Sequence, residues 1–232
     1  MTALIMPPYT FPREMPVRWD GAPPFERATF KPGYTQAKAP TRGALVQVVN
    51  LAPDLWVMEF SSHVMDFDEG QEYLAWLQSL RGGTRLFKAW HPLLEYPRAY
   101  VDTGWTGLVV AGGATPFAGT GSLLAIALQR DGVSIGGLPA GFELKIGDQL
   151  SLELPGGSRS LHAVMEEATA DIDGEVDLTI EPIVPLSATL SPAPEVLFHK
   201  PWCFATLDAD SVSGPWEPGQ IARVSFRAEQ SY

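Results

Sequence analysis

One cysteine, few cations and no long apolar run set the first limits on this chain. With Cys203 the only cysteine in 232 residues, no intramolecular disulfide can form. A lone cysteine reads most simply as a small buried apolar side chain rather than a reactive thiol. Lys and Arg number 16 against 27 Asp and Glu, a net charge of −11. A surface that acidic repels phosphate backbones, and the basic residues read as scattered singly, so direct nucleic-acid binding is not expected. No segment approaches the ~20 apolar residues of a membrane span. The opening MTALIMPPYTFPRE has neither the basic start nor the apolar run of about 7–15 residues that marks a secretory signal. The expectation is a soluble chain, made and folded inside the cell, with no membrane association.

What is present is an ordinary globular composition, 45% hydrophobic and 19% charged, long enough for one large domain or two small ones. Gly 22 and Pro 21 favour many short strands and turns over long helices. The clearest local signal is 142–182. Leu150, Leu152 and Leu154, then Leu161, Ala163 and Met165, then Val176, Leu178 and Ile180 alternate with polar residues. Side chains on a strand point to opposite faces in turn, so this period of two predicts a sheet with one buried face. Gly147-Asp148, Pro155-Gly156-Gly157 and Asp173-Gly174 supply the turns of a compact meander. On that pattern His162 faces solvent.

Before the meander, residues 1–43 interleave eight prolines with Tyr9, Phe11, Trp19, Phe25, Phe30 and Tyr34. Proline at this density prevents helix and interior strand, yet the aromatics call for burial. The segment reads as an extended arm packed either on its own domain or on a neighbouring subunit. ALVQVVN (44–50) and LWVMEFS (55–61) read as two strands. A single helix follows over about 68–82, with Asp68 as cap and Gln71 three residues on. Tyr73, Trp76, Leu77 and Leu80 form its apolar stripe, and Gly82-Gly83 end it. TRLFKA (84–89) is a further strand. From Thr103 the composition shifts toward Gly, Ala, Thr and Val, with LLAIAL (123–128) a strand and 133–138 a turn. Residues 196–199 and 201–207 read as a strand pair, and ARVSFRAE (222–229) alternates like 44–61. The terminal segments are therefore expected to share one sheet. This gives a mainly β protein in three parts: an arm at 1–43, a β-barrel or β-sandwich domain with one helix at 44–102 plus 195–232, and an inserted small β-barrel domain at 103–194.

No chemistry attaches to these elements. His63 with Asp66 and Asp68 is the nearest approach to a metal set, but Asp68 is better explained as the cap. Asp171–Asp177 has its glycine at the wrong place for a helix–loop–helix calcium loop and reads as an acidic hairpin turn. The serines lack a G-x-S-x-G setting, and 112–121 lacks GK[ST]. A glycosidase pair of carboxylates has no particular candidates. No catalytic, cofactor or metal residue is assigned, and the reading is not an enzyme.

The order of segments carries more than any one of them. LWVMEFS, then YLAWLQSLRGG, RLFKAWHP, LKIGDQLSL, RSLHAVMEEATADIDGEVDLTIEPIVP, VLFHKPWCFATL and VSFRAE follow in turn. This series resembles the distal tail proteins of long-tailed siphophages over about residues 55–229. That resemblance implies a β-domain with one helix, a smaller inserted β-barrel, and a closed, usually sixfold ring joining the tail tube to the tail-tip hub. It implies a virion component assembled in the host cytoplasm, with itself, the tube protein, the hub protein and possibly the tape measure protein as partners. A strongly acidic lumen of such a ring would repel passing DNA. The alternative from another class is a carbohydrate-binding β-sandwich with Trp90, Trp105 or Trp216 as sugar platforms; a cell-wall hydrolase is a third.

Overall fold

A computed structural model describes residues 4–18, 24–40, 46–50, 54–214, 216–217 and 221–232. Its main sheet is antiparallel and draws on both ends of the chain. Strands β1 (Phe25–Gly33), β4 (Leu55–Ser62), β5 (Phe87–Trp90), β12 (Trp202–Ser213) and β13 (Ser225–Ser231) lie in the order β1-β4-β13-β12-β5. Between β1 and β4, strands β2 (Gln36–Pro40) and β3 (Val46–Asn50) form a separate two-stranded hairpin. Period-two burial is plain: Trp56, Met58, Phe60 and Ser62 of β4 and Phe226, Ala228 and Gln230 of β13 face inward. Phe60 stacks on Phe226 with ring centroids 5.0 Å apart.

Helix α1 (Phe67–Ser79) lies against this face through Tyr73, Trp76, Leu77 and Leu80, all buried. The cap is Asp66, whose side chain accepts from the Glu69 backbone N–H, and not Asp68, which is exposed within the first turn. Arg81, Gly82 and Gly83 follow with positive φ and turn the chain back to the sheet.

The arm expected at 1–43 does not stand apart. Leu4–Ile5 pairs with Val17–Arg18, Arg13 bridges Phe87 beside β5, and Leu4, Met15 and Phe25 join the main core. Its own domain therefore receives residues 4–18 and 25–33. Pro32 lies within β1, which is tolerated because β1 is the outermost strand and needs no donor on its free side. Trp19 lies outside the described residues.

The middle of the chain is a closed six-stranded barrel. β6 (Thr120–Ile126), β7 (Gly132–Gly136), β8 (Gln149–Glu153), β9 (Arg159–Val164), β10 (Val176–Glu181) and β11 (Glu195–Leu197) close in the order β8-β9-β10-β7-β6-β11. Three expectations change here. Residues 132–136 are a strand and not a turn. Residues 195–197 belong to the barrel, so they do not pair with 202–207, which enter the main sheet. Finally, β9 is buried on both sides. Its Leu161 and Ala163 pack into the main sheet's core, Val164 packs in the barrel core, and Met165 is 38% exposed. A strand between two cores keeps period-two geometry but loses the polar face that the pattern assumes.

Candidate assembly surfaces

Each of the four histidines has a local partner. His63 Nδ1–H donates to the Pro24 carbonyl (3.0 Å), and its Nε2 lies 3.3 Å from a Glu69 carboxylate oxygen. A proton must lie in that second contact. Burial pushes the Glu69 carboxyl up. His91 sits against Phe30, centroids 4.9 Å apart, and burial lowers its pKa. His199 contacts Glu95 at 3.1 Å and stacks on Tyr96. Among the described residues no group of three His, Cys, Asp or Glu side chains converges as a metal site requires.

His162 faces inward rather than to solvent. It lies opposite Leu150 on the barrel side of β9 and is 1% exposed. Its Nδ1–H donates to the Pro182 carbonyl at 2.6 Å, and Nε2 accepts from the Ser160 hydroxyl at 2.7 Å. A serine beside a tethered imidazole is how a nucleophile is activated. Here both groups are sealed within the barrel, so the pair is a buried polar tie between β9 and the end of β10. Desolvation holds the imidazole pKa down to about 4.

A pH effect follows. Between about 6.5 and 4 the unfolded chain takes up a proton at His162 that the folded chain refuses, so stability falls as pH falls. Glu69 and Glu181, whose carboxyls burial pushes up, act in the opposite sense. Comparison with His162→Gln therefore isolates the term. From pH 7 to pH 5 the wild type should lose about 2 kcal/mol more than the variant in urea titrations. Equal losses would contradict the assignment.

Of the tryptophans considered as sugar platforms, Trp90 and Trp105 are packed against other side chains. Trp90 is 6% exposed and lies beneath the Lys200 ammonium. Trp105 is half-buried among Tyr96, Tyr100, Phe117 and Phe142. The side chain of Trp216 lies outside the described residues. Cys203 is fully buried, and burial pushes its thiol up. The acidic 171–177 segment is a turn in which the Asp171 carboxylate accepts from the backbone N–H groups of Asp173 and Glu175.

Two features escaped the sequence reading. The first is Asp148, 1% exposed, which joins the barrel to the segment entering it. Its carboxylate accepts from the Arg98 backbone N–H (3.1 Å), the Arg98 guanidinium (3.3 Å) and the Lys145 backbone N–H (2.8 Å). No local pattern could have shown this, since Arg98 is fifty residues away. The second was legible. Residues 27–53 contain Arg27, Lys31, Lys38 and Arg42 and no acid. The whole chain is −11 and this segment +4, which leaves −15 on the remainder. The cations are thus not simply scattered. Arg27 and Lys31 lie on β1 and Lys38 on β2, beside which Ala37, Ala39, Val46, Val48 and Val49 are exposed, and Arg42 lies outside the described residues.

The barrel meets the main sheet through specific contacts: Trp56 Nε1–H donates to the Leu161 carbonyl at 2.6 Å, and Arg159 pairs with Glu195 while lying over Trp202. The helix-free face of the sheet is a shallow polar groove of about 370 Å³ bearing Arg27, Thr29, Glu59, Ser61 and Arg227. Among the described residues no helix is long and apolar enough to cross a membrane. No protein-family model matches the chain, and no curated protein matches it.

Proposed function

We propose that this chain is a structural subunit of a siphophage tail tip, a distal tail protein whose copies close into a ring between the tail tube and the tip hub. The observation that carries this reading is the architecture. Both chain ends build one sheet with a single helix, and a closed small barrel is inserted between them. The motif series resembling distal tail proteins implies that arrangement. The buried His162, the buried cysteine and the covered Trp90 favour packing roles over catalysis or sugar binding. On this reading the subunit works by shape: it binds its own copies laterally, the tube protein on one side and the hub on the other. The tape measure protein passes through the lumen, and the location is the assembled virion. A head-to-tail contact that closes generates a ring from one kind of chain.

The expected result for the purified protein is closed rings in negative-stain images and a light-scattering mass several times 25.2 kDa. A monomer at every concentration up to the millimolar range would sink the reading.

A further inference from the structure

Among the described residues the β2–β3 hairpin joins no larger sheet. Its two strands pair with each other in the register Lys38↔Val48 and Ala37↔Val49, in a sheet of their own. Alternation puts Val46 and Val48 with Lys38 on one face, and Val49 with Ala37 and Ala39 on the other. These side chains are exposed, Val46 at 62%, Val48 at 46% and Val49 at 49%. An isolated two-stranded ribbon is marginal in water, and valines displayed on both faces call for a covering surface. The ribbon lies within the segment that carries +4 while the remaining residues carry −15. An acidic, partly apolar surface is therefore its complement, and every other copy of the chain offers one at equal concentration.

One place on that surface has the needed shape. Between the last turns of α1 and β12 lies an apolar pit of about 240 Å³, lined by Leu74, Leu77, Leu207, Ala209 and Val212. Its lining carries no cation, and the strand that forms its wall also bears Asp208 and Asp210 outside the pit. We propose that the β2–β3 hairpin of one subunit docks in the α1–β12 pit of the next, with Val46 and Val48 entering the pit and Lys38 drawn by the net negative charge of the receiving subunit. The hairpin and the pit are different surfaces, so the contact runs head to tail and can close. This rests on the ring reading and assigns its lateral interface.

The test uses full-length chains and exposed positions. Val46→Asp/Val48→Asp removes the hairpin's function, and Ala209→Arg fills the pit. Circular-dichroism melting checks that each variant keeps the wild-type fold, and light scattering reads mass. Each variant alone should self-associate at least about 10-fold more weakly than wild type. Mixed one to one, they should form a dimer and stop, because one sound hairpin and one sound pit remain between them. Lys38→Glu should weaken assembly less, with the loss shrinking in high salt. Wild-type-sized rings from Val46→Asp/Val48→Asp would overturn this interface and leave the ring reading intact. A wild-type protein that is always monomeric would remove both. A mixture that stays monomeric would overturn the pit assignment. Unaltered assembly by Lys38→Glu, coupled with loss of binding to duplex DNA, would overturn a second copy as the occupant.

Discussion

Replacing Gly83 with alanine is expected to lower stability by about 3–4 kcal/mol, combining a left-handed backbone penalty with a steric clash. Gly83 has φ +89°, and a Cβ built on it would lie 2.4 Å from the Leu207 carbonyl oxygen. Neither strain can relax cheaply, because Leu207 is held in β12 between β13 and the buried face of α1. The neighbouring glycine is the control. Gly82 has φ +60°, but the nearest atom to its added Cβ is the Ala209 methyl at 3.5 Å, an ordinary contact. Gly82→Ala should therefore cost only about 1 kcal/mol, the backbone term alone. Urea midpoints of the two variants decide the matter. Equal costs would mean that the close approach to β12 does not limit this turn. The Leu-Arg-Gly-Gly ending of the helix thus has a physical reason: three successive residues with positive φ, of which the last must approach a strand backbone.

Asp148→Ala is the second large effect. The substitution removes the acceptor of two backbone N–H groups, on Arg98 and Lys145, and of the Arg98 guanidinium. Arg98 is half-exposed, so the ionic part is screened and contributes modestly. The larger part is the pair of amides left without their acceptor, at about 1–3 kcal/mol each, so a loss of about 3 kcal/mol is expected. Asp148→Asn keeps one acceptor oxygen and turns an N–H₂ toward donors, and its loss should be intermediate. Because Asp148 fastens the entering segment to the barrel, the alanine variant should also be cut faster by protease near 95–98 in native buffer. A variant with wild-type midpoint and wild-type digestion would show that the tie does not hold the segment.

Much of this fold is written in local pattern. Tyr73, Trp76, Leu77 and Leu80 fall on one helical stripe, and all four are buried. Leu150, Leu152 and Leu154, with Val176, Leu178 and Ile180, alternate as barrel strands do. Errors arose where a residue's surroundings come from a distant part of the chain. In β9 the alternation suggested a wet side at His162, but that side faces the barrel core while Leu161 and Ala163 meet the main core, so both sides are buried. Residues 195–197 and 202–207 looked like one pair because they adjoin; the short Phe198–Pro201 crossing sends them to different bodies. At the helix start, Asp66 and Asp68 are equal candidates by composition, and only backbone geometry separates them.

The same division holds for the surfaces. The acid-free run from Arg27 to Pro53 is a property of the sequence, visible before any folding. That its hairpin stands exposed, while the equally apolar residues 4–18 dock on the main core, depends on which elements find partners within the fold. The mainly β character, the capped helix, the limit of one cysteine and the strong negative charge are all legible in the order of residues, because each is a sum or a short-range period. The closure of the barrel, the burial of both faces of β9, the Asp148 tie and the exposure of the hairpin arise only in the tertiary structure. Those depend on contacts between residues tens of positions apart, whose free energy appears only when the chain brings them together.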